Sequence, residues 1–249
     1  MTLLCLLALH VTALSTPHTL VGGGTAVQTI TTITIPAAGI LPRGTLLARA
    51  GFFPEGTISA ECFISPLPRF LVGLSYSGQN IIGSGNPQWQ PFPGVSLRFR
   101  AIEETPWVPA LVFGIHTQGW GSYDRQQQRF TVPAGGLFAA ASKSYRWWLG
   151  DIAWHAVLSY PLELPSHQRR PNVAIGWEHS LARFGQLLVE YNTLWGDATQ
   201  KWRAGLLSLA LRIGLSPTTA LCAHLVDVLH HREDSTGWTR AFIVEWLIQ

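Results

Sequence analysis

The stretch Val95-Ser96-Leu97-Arg98-Phe99-Arg100-Ala101 alternates apolar residues with polar or cationic ones at a period of two, which is the period of a β-strand and not of a helix. Val173-Ala174-Ile175-Gly176-Trp177-Glu178, Leu187-Leu188-Val189-Glu190-Tyr191-Asn192 and Leu207-Ser208-Leu209-Ala210-Leu211-Arg212-Ile213 repeat it. Such segments make a sheet with two unlike faces. Period two leaves open which face meets solvent, because a soluble barrel turns its apolar side inward and a membrane barrel turns it outward. Composition decides between them. Charged residues are 12% of the chain, against about 25% in an ordinary soluble domain, while hydrophobic residues reach 47% and tryptophan alone supplies 11. A chain so poor in charge can hardly cover a soluble barrel's exterior. Beyond the N-terminus it has no apolar run of the roughly 18 residues that a membrane helix needs, so a closed barrel with every backbone group paired between strands is the expected way to span a bilayer.

The expected fold is all-β: a single antiparallel up-and-down transmembrane β-barrel of about 12 strands, within a range of about 10–14. The strands centre on Ala48, Ala60, Val72, Phe99, Phe113, Ala140, Ala156, Ile175, Val189, Leu209, Ala223 and Val244. Connections alternate in length. Those around 66–68, 105–108, 147–150, 181–183 and 216–217 are short, whereas 77–93 and 119–134 are long, and 162–171, 195–202 and 230–236 are intermediate. That rhythm matches bacterial outer-membrane barrels, with short periplasmic turns and longer outside loops. Only the first turn, 53–56, is shorter than this plan expects. Trp107, Trp120, Tyr145, Trp147, Trp148, Tyr160, Trp195, Trp202 and Trp238 fall near proposed strand ends, where amphipathic rings suit the two membrane interfaces.

Residues 3–14 form an apolar core like that of a signal peptide, with Val11-Thr12-Ala13 as a loose cleavage signal and no preceding Lys or Arg. The expected organisation is a signal peptide over 1–20, a periplasmic leader over 21–43 and the barrel over 44–249. The leader holds Gly22-Gly23-Gly24 and a Thr-rich run from Thr25 to Ile35. It reads as an extended piece that either pairs with the barrel or hangs in the periplasm. Cys5 would leave with the signal, and Cys62 and Cys222 read as isolated residues, with a bridge between them left open.

Ile35-Pro36-Ala37-Ala38-Gly39-Ile40-Leu41-Pro42-Arg43-Gly44, Gly73-Leu74-Ser75-Tyr76-Ser77-Gly78, Asn80-Ile81-Ile82-Gly83-Ser84-Gly85, Pro93-Gly94-Val95, Ile102-Glu103-Glu104, Pro109-Ala110-Leu111 and Gly114-Ile115-His116-Thr117-Gln118-Gly119-Trp120-Gly121 resemble a group of poorly characterised bacterial outer-membrane β-barrels. That group is distantly similar to the exopolysaccharide-associated YjbH barrels. The resemblance covers Ile35 to about Tyr145 and the remainder by pattern only. It implies fold and a place in the bacterial outer membrane, and it brings no catalytic residues. The chain ends Trp246-Leu247-Ile248-Gln249, without the terminal Phe or Trp usual for recognition by the barrel-assembly machinery.

By alternation the lumen-side polar residues are Arg49, Glu61, Arg98, Arg100, His116, His155, Glu178, Glu190, Arg212, His224 and Glu245. Mixed cations and carboxylates in a narrow barrel read first as ion pairs that satisfy the interior, and second as an aqueous path in which arginines attract anions. The leading expectation is a narrow passive channel or a structural envelope component that is not an enzyme. A lipid-modifying enzyme and a barrel component of polysaccharide export are the alternatives. Glu178-His179-Ser180 does not make a triad, since adjacent strand residues point to opposite faces. Glu103-Glu104 and His230-His231 lack the spacing of a metal site, and there is no nucleotide or hydrolase fingerprint, so no cofactor or metal is expected. The net charge of +3 is scattered, which argues against nucleic acid. Expected partners are membrane lipids including lipopolysaccharide, small solutes, and the barrel-assembly machinery during biogenesis; Arg125 and Arg129, in an outside loop, read first as solvated charges and second as contacts to anionic lipid headgroups.

Overall fold

The computed structural model describes residues 18–21, 26–164, 169–195, 197, 204–231 and 239–249. The expected signal core, Trp202 and Trp238 lie outside these residues. Fifteen strands run β1 (Leu46–Phe53), β2 (Thr57–Leu67), β3 (Phe70–Gln79), β4 (Gln88–Trp89), β5 (Gly94–Ile102), β6 (Ala110–His116), β7 (Trp120–Asp124), β8 (Arg129–Val132), β9 (Gly136–Trp147), β10 (Gly150–Tyr160), β11 (Asn172–Leu181), β12 (Gly185–Asn192), β13 (Leu206–Ser216), β14 (Thr219–Val226) and β15 (Thr239–Ile248). Twelve of them, all but β4, β7 and β8, close into an antiparallel barrel in which each strand pairs with its neighbour and β15 returns to β1. Every expected strand centre falls inside one of these twelve. The short strands are additions within the two long loops: β4 pairs with the end of β3, and β7 with β8 forms a separate hairpin.

Alternation places the side chains as the sequence implies. Leu97, Phe99, Phe113, Leu137, Trp154, Leu158, Ile175, Leu211 and Phe242 are exposed on the outer face, while Arg98, Ser142, His155, Glu190 and Glu245 are buried on the inner one. An outer band of this kind is stable only against lipid. Trp107 and Trp148 stand almost fully exposed at the turn end, and Trp195 is exposed at the loop end. Trp120 departs from the expected aromatic belt. It is only 6% exposed because β7 folds back over the barrel mouth, where Trp120 meets Phe53 edge-on at 5.2 Å between ring centres. Cys62 and Cys222 are free, one exposed and one buried, on opposite faces of the wall, so they do not bridge.

The largest departure concerns residues 26–43. The described part of the expected leader does not hang in the periplasm; it lies inside the barrel as a hairpin. The Ala37 amide donates to the Ile30 carbonyl at 3.0 Å and the Thr32 amide to the Ile35 carbonyl at 3.1 Å, with Thr31 and Pro36 bridged antiparallel. Gly39 lets the two arms meet, since a Cβ there would fall on the Thr29 carbonyl oxygen. At the turn end, the Leu20 amide donates to Pro217 at 2.9 Å and the Gly44 amide to Ser65 at 3.0 Å. At the loop end, Thr34 and Ile35 border a cleft with Pro133, Gly135 and Leu194. The hairpin therefore runs nearly the height of the barrel.

Apolar packing holds it there. Ile30, Ile35, Ile40 and Leu41 share a buried cluster with Leu47, Phe63, Leu71, Val112, Phe138 and Val157 of the wall. Ile33 at the tip joins Trp120, Val132 and Leu194 of the outer cap and Leu206 and Val226 at the loop ends of β13 and β14. Burying five such side chains contributes on the order of 10 kcal/mol. The lumen thus has an apolar core as well as the polar lining that alternation implies. His18, Thr19 and Leu20, within the stretch assigned to the signal, are also seated at the barrel. The His18 amide and carbonyl clasp the Gln249 side chain at 3.1 and 2.5 Å.

Candidate functional site

The eleven polar residues expected on the lumen side all lie on the inner face, and apart from the histidines His116 and His224 they fall into two groups that overlap at His155 and Glu178. In the first, charges satisfy each other. Register puts Glu245, Arg49 and Glu61 directly across from one another on β15, β1 and β2. Arg49 Nε is 2.8 Å from Glu245 Oε1, and its Nη1 lies 3.9 Å from Glu61 Oε2. Arg212 reaches past β14 to the other oxygen of Glu245, with Nε to Oε2 at 2.7 Å. It also donates to Gln186 Oε1 at 3.1 Å, whose amide donates to Glu178 Oε1 at 2.9 Å.

In the second group, charges grip the hairpin's main chain. Arg98, 1% exposed, donates to the Ile30 carbonyl, and its guanidinium lies over the Phe63 and Phe138 rings at 5.9 and 5.5 Å. Arg100 donates to the Ala38 carbonyl at 2.6 Å, to Gln28 Oε1, and to Glu103 at 3.2 Å. Across the barrel, fully buried Glu190 accepts the Ile33 amide at 2.8 Å, the Thr34 amide at 2.9 Å and the Thr32 hydroxyl at 2.5 Å, together with the Thr34 hydroxyl. A buried carboxylate is tolerated when several donors converge on it. The hairpin turn supplies them.

His155 and Glu178 belong to both worlds. His155 Nδ1 is 2.8 Å from Ser142 Oγ, its directly opposite neighbour on β9, and Nε2 stands 3.7 Å from Glu178 Oε2. Ser142 Oγ accepts the Ala38 amide at 3.0 Å, and Glu178 accepts the Thr29 hydroxyl. These groups line a cavity of about 470 Å³ between the hairpin and the β9–β11 wall, with Glu104, Tyr145 and Arg146 at its turn-end mouth. His116 and His224 are buried, and the Nδ1 atom of each has no hydrogen-bond partner. Among the described residues no cluster has the make-up of a metal site.

The outside loops form a second polar region. Arg129, expected first as a solvated loop charge and second as a lipid headgroup contact, makes a buried pair with Asp197, with Nη1 to Oδ1 at 2.8 Å and Nη2 to Oδ2 at 2.5 Å. Arg125 donates to the Trp89 carbonyl at 2.8 Å. Nearby, Glu163 accepts the Ala134 amide at 2.9 Å, and burial pushes its carboxyl up to about 8.

Ser142, Gln186, Thr29, Thr32 and Thr34 were absent from the expected site. Ser142 was accessible to sequence reasoning: the tight turn between β9 and β10 pairs residues whose numbers sum alike, Trp147 with Gly150 and Ser142 with His155. The threonines carried no such signal, because nothing local shows that their segment folds back into the barrel.

A closed, even-numbered antiparallel barrel with an apolar outer band and short turns at one end is the architecture of integral proteins of the bacterial outer membrane. No family model matches the chain, and no curated protein does. Among solved structures it is similar to the NanC porin, at 6% identity and a TM-score of 0.43, over 81% of this chain and 98% of that one. It is also similar to the Acinetobacter baumannii outer membrane protein Omp33, at 9% identity and a TM-score of 0.44, over 82% and 96%. A loop L8 deletion mutant of OmpT, an outer membrane protein of Vibrio cholerae, is similar at 7% identity and a TM-score of 0.32, over 82% and 97%.

Proposed function

We propose that this outer-membrane barrel is a structural component of the envelope, sealed at rest by its own N-terminal hairpin, rather than an open passive channel. One observation carries the reading. Arg98, Arg100 and Glu190, the charges best placed to line an aqueous path, are engaged with the hairpin's carbonyls, amides and hydroxyls. Its surroundings are lipid, met by the outer band of Leu, Phe and Trp. An export role requires the hairpin to leave, against the apolar burial that seats it.

The test is planar-bilayer recording on folded protein, identified by heat-modifiable migration in electrophoresis. The full chain is expected to show no single-channel steps. Steady conductance from the intact chain would overturn the sealed reading, and stepwise conductance that appears only when the hairpin is drawn out would move it to export.

A further inference from the structure

We propose that Ser142, His155 and Glu178 form a hydrolytic site for short-chain carboxylic esters, served by the cavity at the turn end of the barrel. Three facts meet here. The side chains lie on the inner faces of consecutive strands β9, β10 and β11, so two sheet registers fix their spacing. Ser142 Oγ is 2.8 Å from His155 Nδ1, within the range at which an imidazole takes a hydroxyl proton. His155, 4% exposed, leaves Nε2 without a hydrogen-bond partner and facing Glu178 at 3.7 Å. Nδ1 as acceptor places the ring proton on Nε2, toward the carboxylate, which is the tautomer a base needs. Glu178 is itself oriented by Thr29 and by Gln186 at 2.9 Å.

The triplet Glu178-His179-Ser180 in sequence fails because neighbours point apart; the spatial set draws one member from each of three strands. Ring orientation is reversed relative to a serine protease, with the nucleophile on Nδ1 rather than Nε2. The roles are unchanged. The cavity, at about 470 Å³, is of a size for a small organic ligand. Ala26, Val27, Ala110 and Ile152 give its wall an apolar lining suited to a short acyl chain. The Ala38 amide, 3.0 Å from Ser142 Oγ, is a donor beside the point where an oxyanion develops.

The chemistry balances with water as the second substrate. Ser142 Oγ bonds to the ester carbonyl carbon while its proton passes to His155 Nδ1. The carbonyl π electrons move to the oxygen, which the Ala38 amide faces. The tetrahedral species collapses, the carbon–alkoxide bond breaks, and the alcohol leaves with the proton from His155. Water then attacks the acyl-serine, giving its proton to His155, and the acid departs as Ser142 regains its hydrogen. Glu178 stabilises the imidazolium in both halves.

Full-length folded protein in detergent micelles, treated with a fluorophosphonate probe, is expected to carry the label on Ser142 by peptide mass spectrometry. With p-nitrophenyl acetate, Ser142→Ala and His155→Ala each lower kcat about 100-fold or more. Glu178→Gln lowers kcat with KM held. Absence of label from wild-type protein that retains heat-modifiable migration, or label on another residue, would overturn the proposal. So would Ser142→Ala hydrolysing the ester at the wild-type rate.

Discussion

Two sets of buried charges share one barrel wall and are satisfied in opposite ways. On β1, β2, β13 and β15, arginines and carboxylates answer one another, with Glu245 held between Arg49 and Arg212. On β5 and β12, Arg98, Arg100 and Glu190 answer peptide groups of the hairpin. The first set is complete once the barrel closes. The second is complete only when residues 26–41 are inside. One group therefore belongs to the wall and the other to the wall's contents, although residue type and burial do not distinguish them.

Removing one partner of a buried network shows this difference at its largest. Glu245→Gln removes the carboxylate that Arg49 and Arg212 share, and we expect a loss of about 3–5 kcal/mol, read as a lower midpoint for loss of the heat-modifiable form. Glu190→Gln takes the full charge from the hairpin tip, a smaller loss of about 2 kcal/mol. Its effect should be confined to the hairpin, with faster amide exchange at Ile33 and Thr34 and an unchanged wall. Equal effects of the two substitutions on barrel melting would erase the distinction between wall and contents.

The outside cap gives the most local effect and extends the comparison to a third region. Glu163, raised to about 8 under the loops, binds its proton more tightly folded than unfolded. Stability of the cap therefore falls as pH rises from the unfolded value through the folded one, and is unaffected below both. Amide exchange around Ala134, once corrected for its intrinsic base-catalysed rate, should quicken from about pH 4.5 to about pH 8, and Glu163→Gln should flatten that dependence. An unchanged pH response in the variant would assign the effect to another group.

The barrel was legible in the sequence to the level of individual strands, because a lipid-facing wall imposes period two on every crossing and the turns alternate in length. Positions such as Phe99, Ile175 and Leu209 fell in their strands for that reason. The direction of Arg98 and Arg100 was legible too, but not their partners. Alternation reports which face a residue takes and says nothing of what fills the space it faces. The hairpin escaped because Thr29, Thr32 and Thr34 look like a solvated leader, and their buried role depends on Glu178 and Glu190 far along the chain. Trp120 and Arg129 were misplaced for a related reason. The short β7–β8 hairpin lies in a loop, and it turns both residues under the cap, Trp120 away from the lipid interface and Arg129 away from solvent.

The clasp between His18 and Gln249 joins the earliest described residue to the last one in the chain. Between them lie the hairpin and then β1, which must pair with β15 along the register from Leu46 with Ile248 to Phe52 with Phe242. That pairing is the most distant in sequence of any in the wall, so loop-closure entropy makes it slow to form. Once it forms, a hairpin left outside can reach its seat only through an end of the barrel. Assembly therefore has an order built into it: stow the beginning of the chain, then zip the seam. A chain that zips first would be an empty cylinder with its own stopper outside, and the two orders of events would yield different products from one sequence.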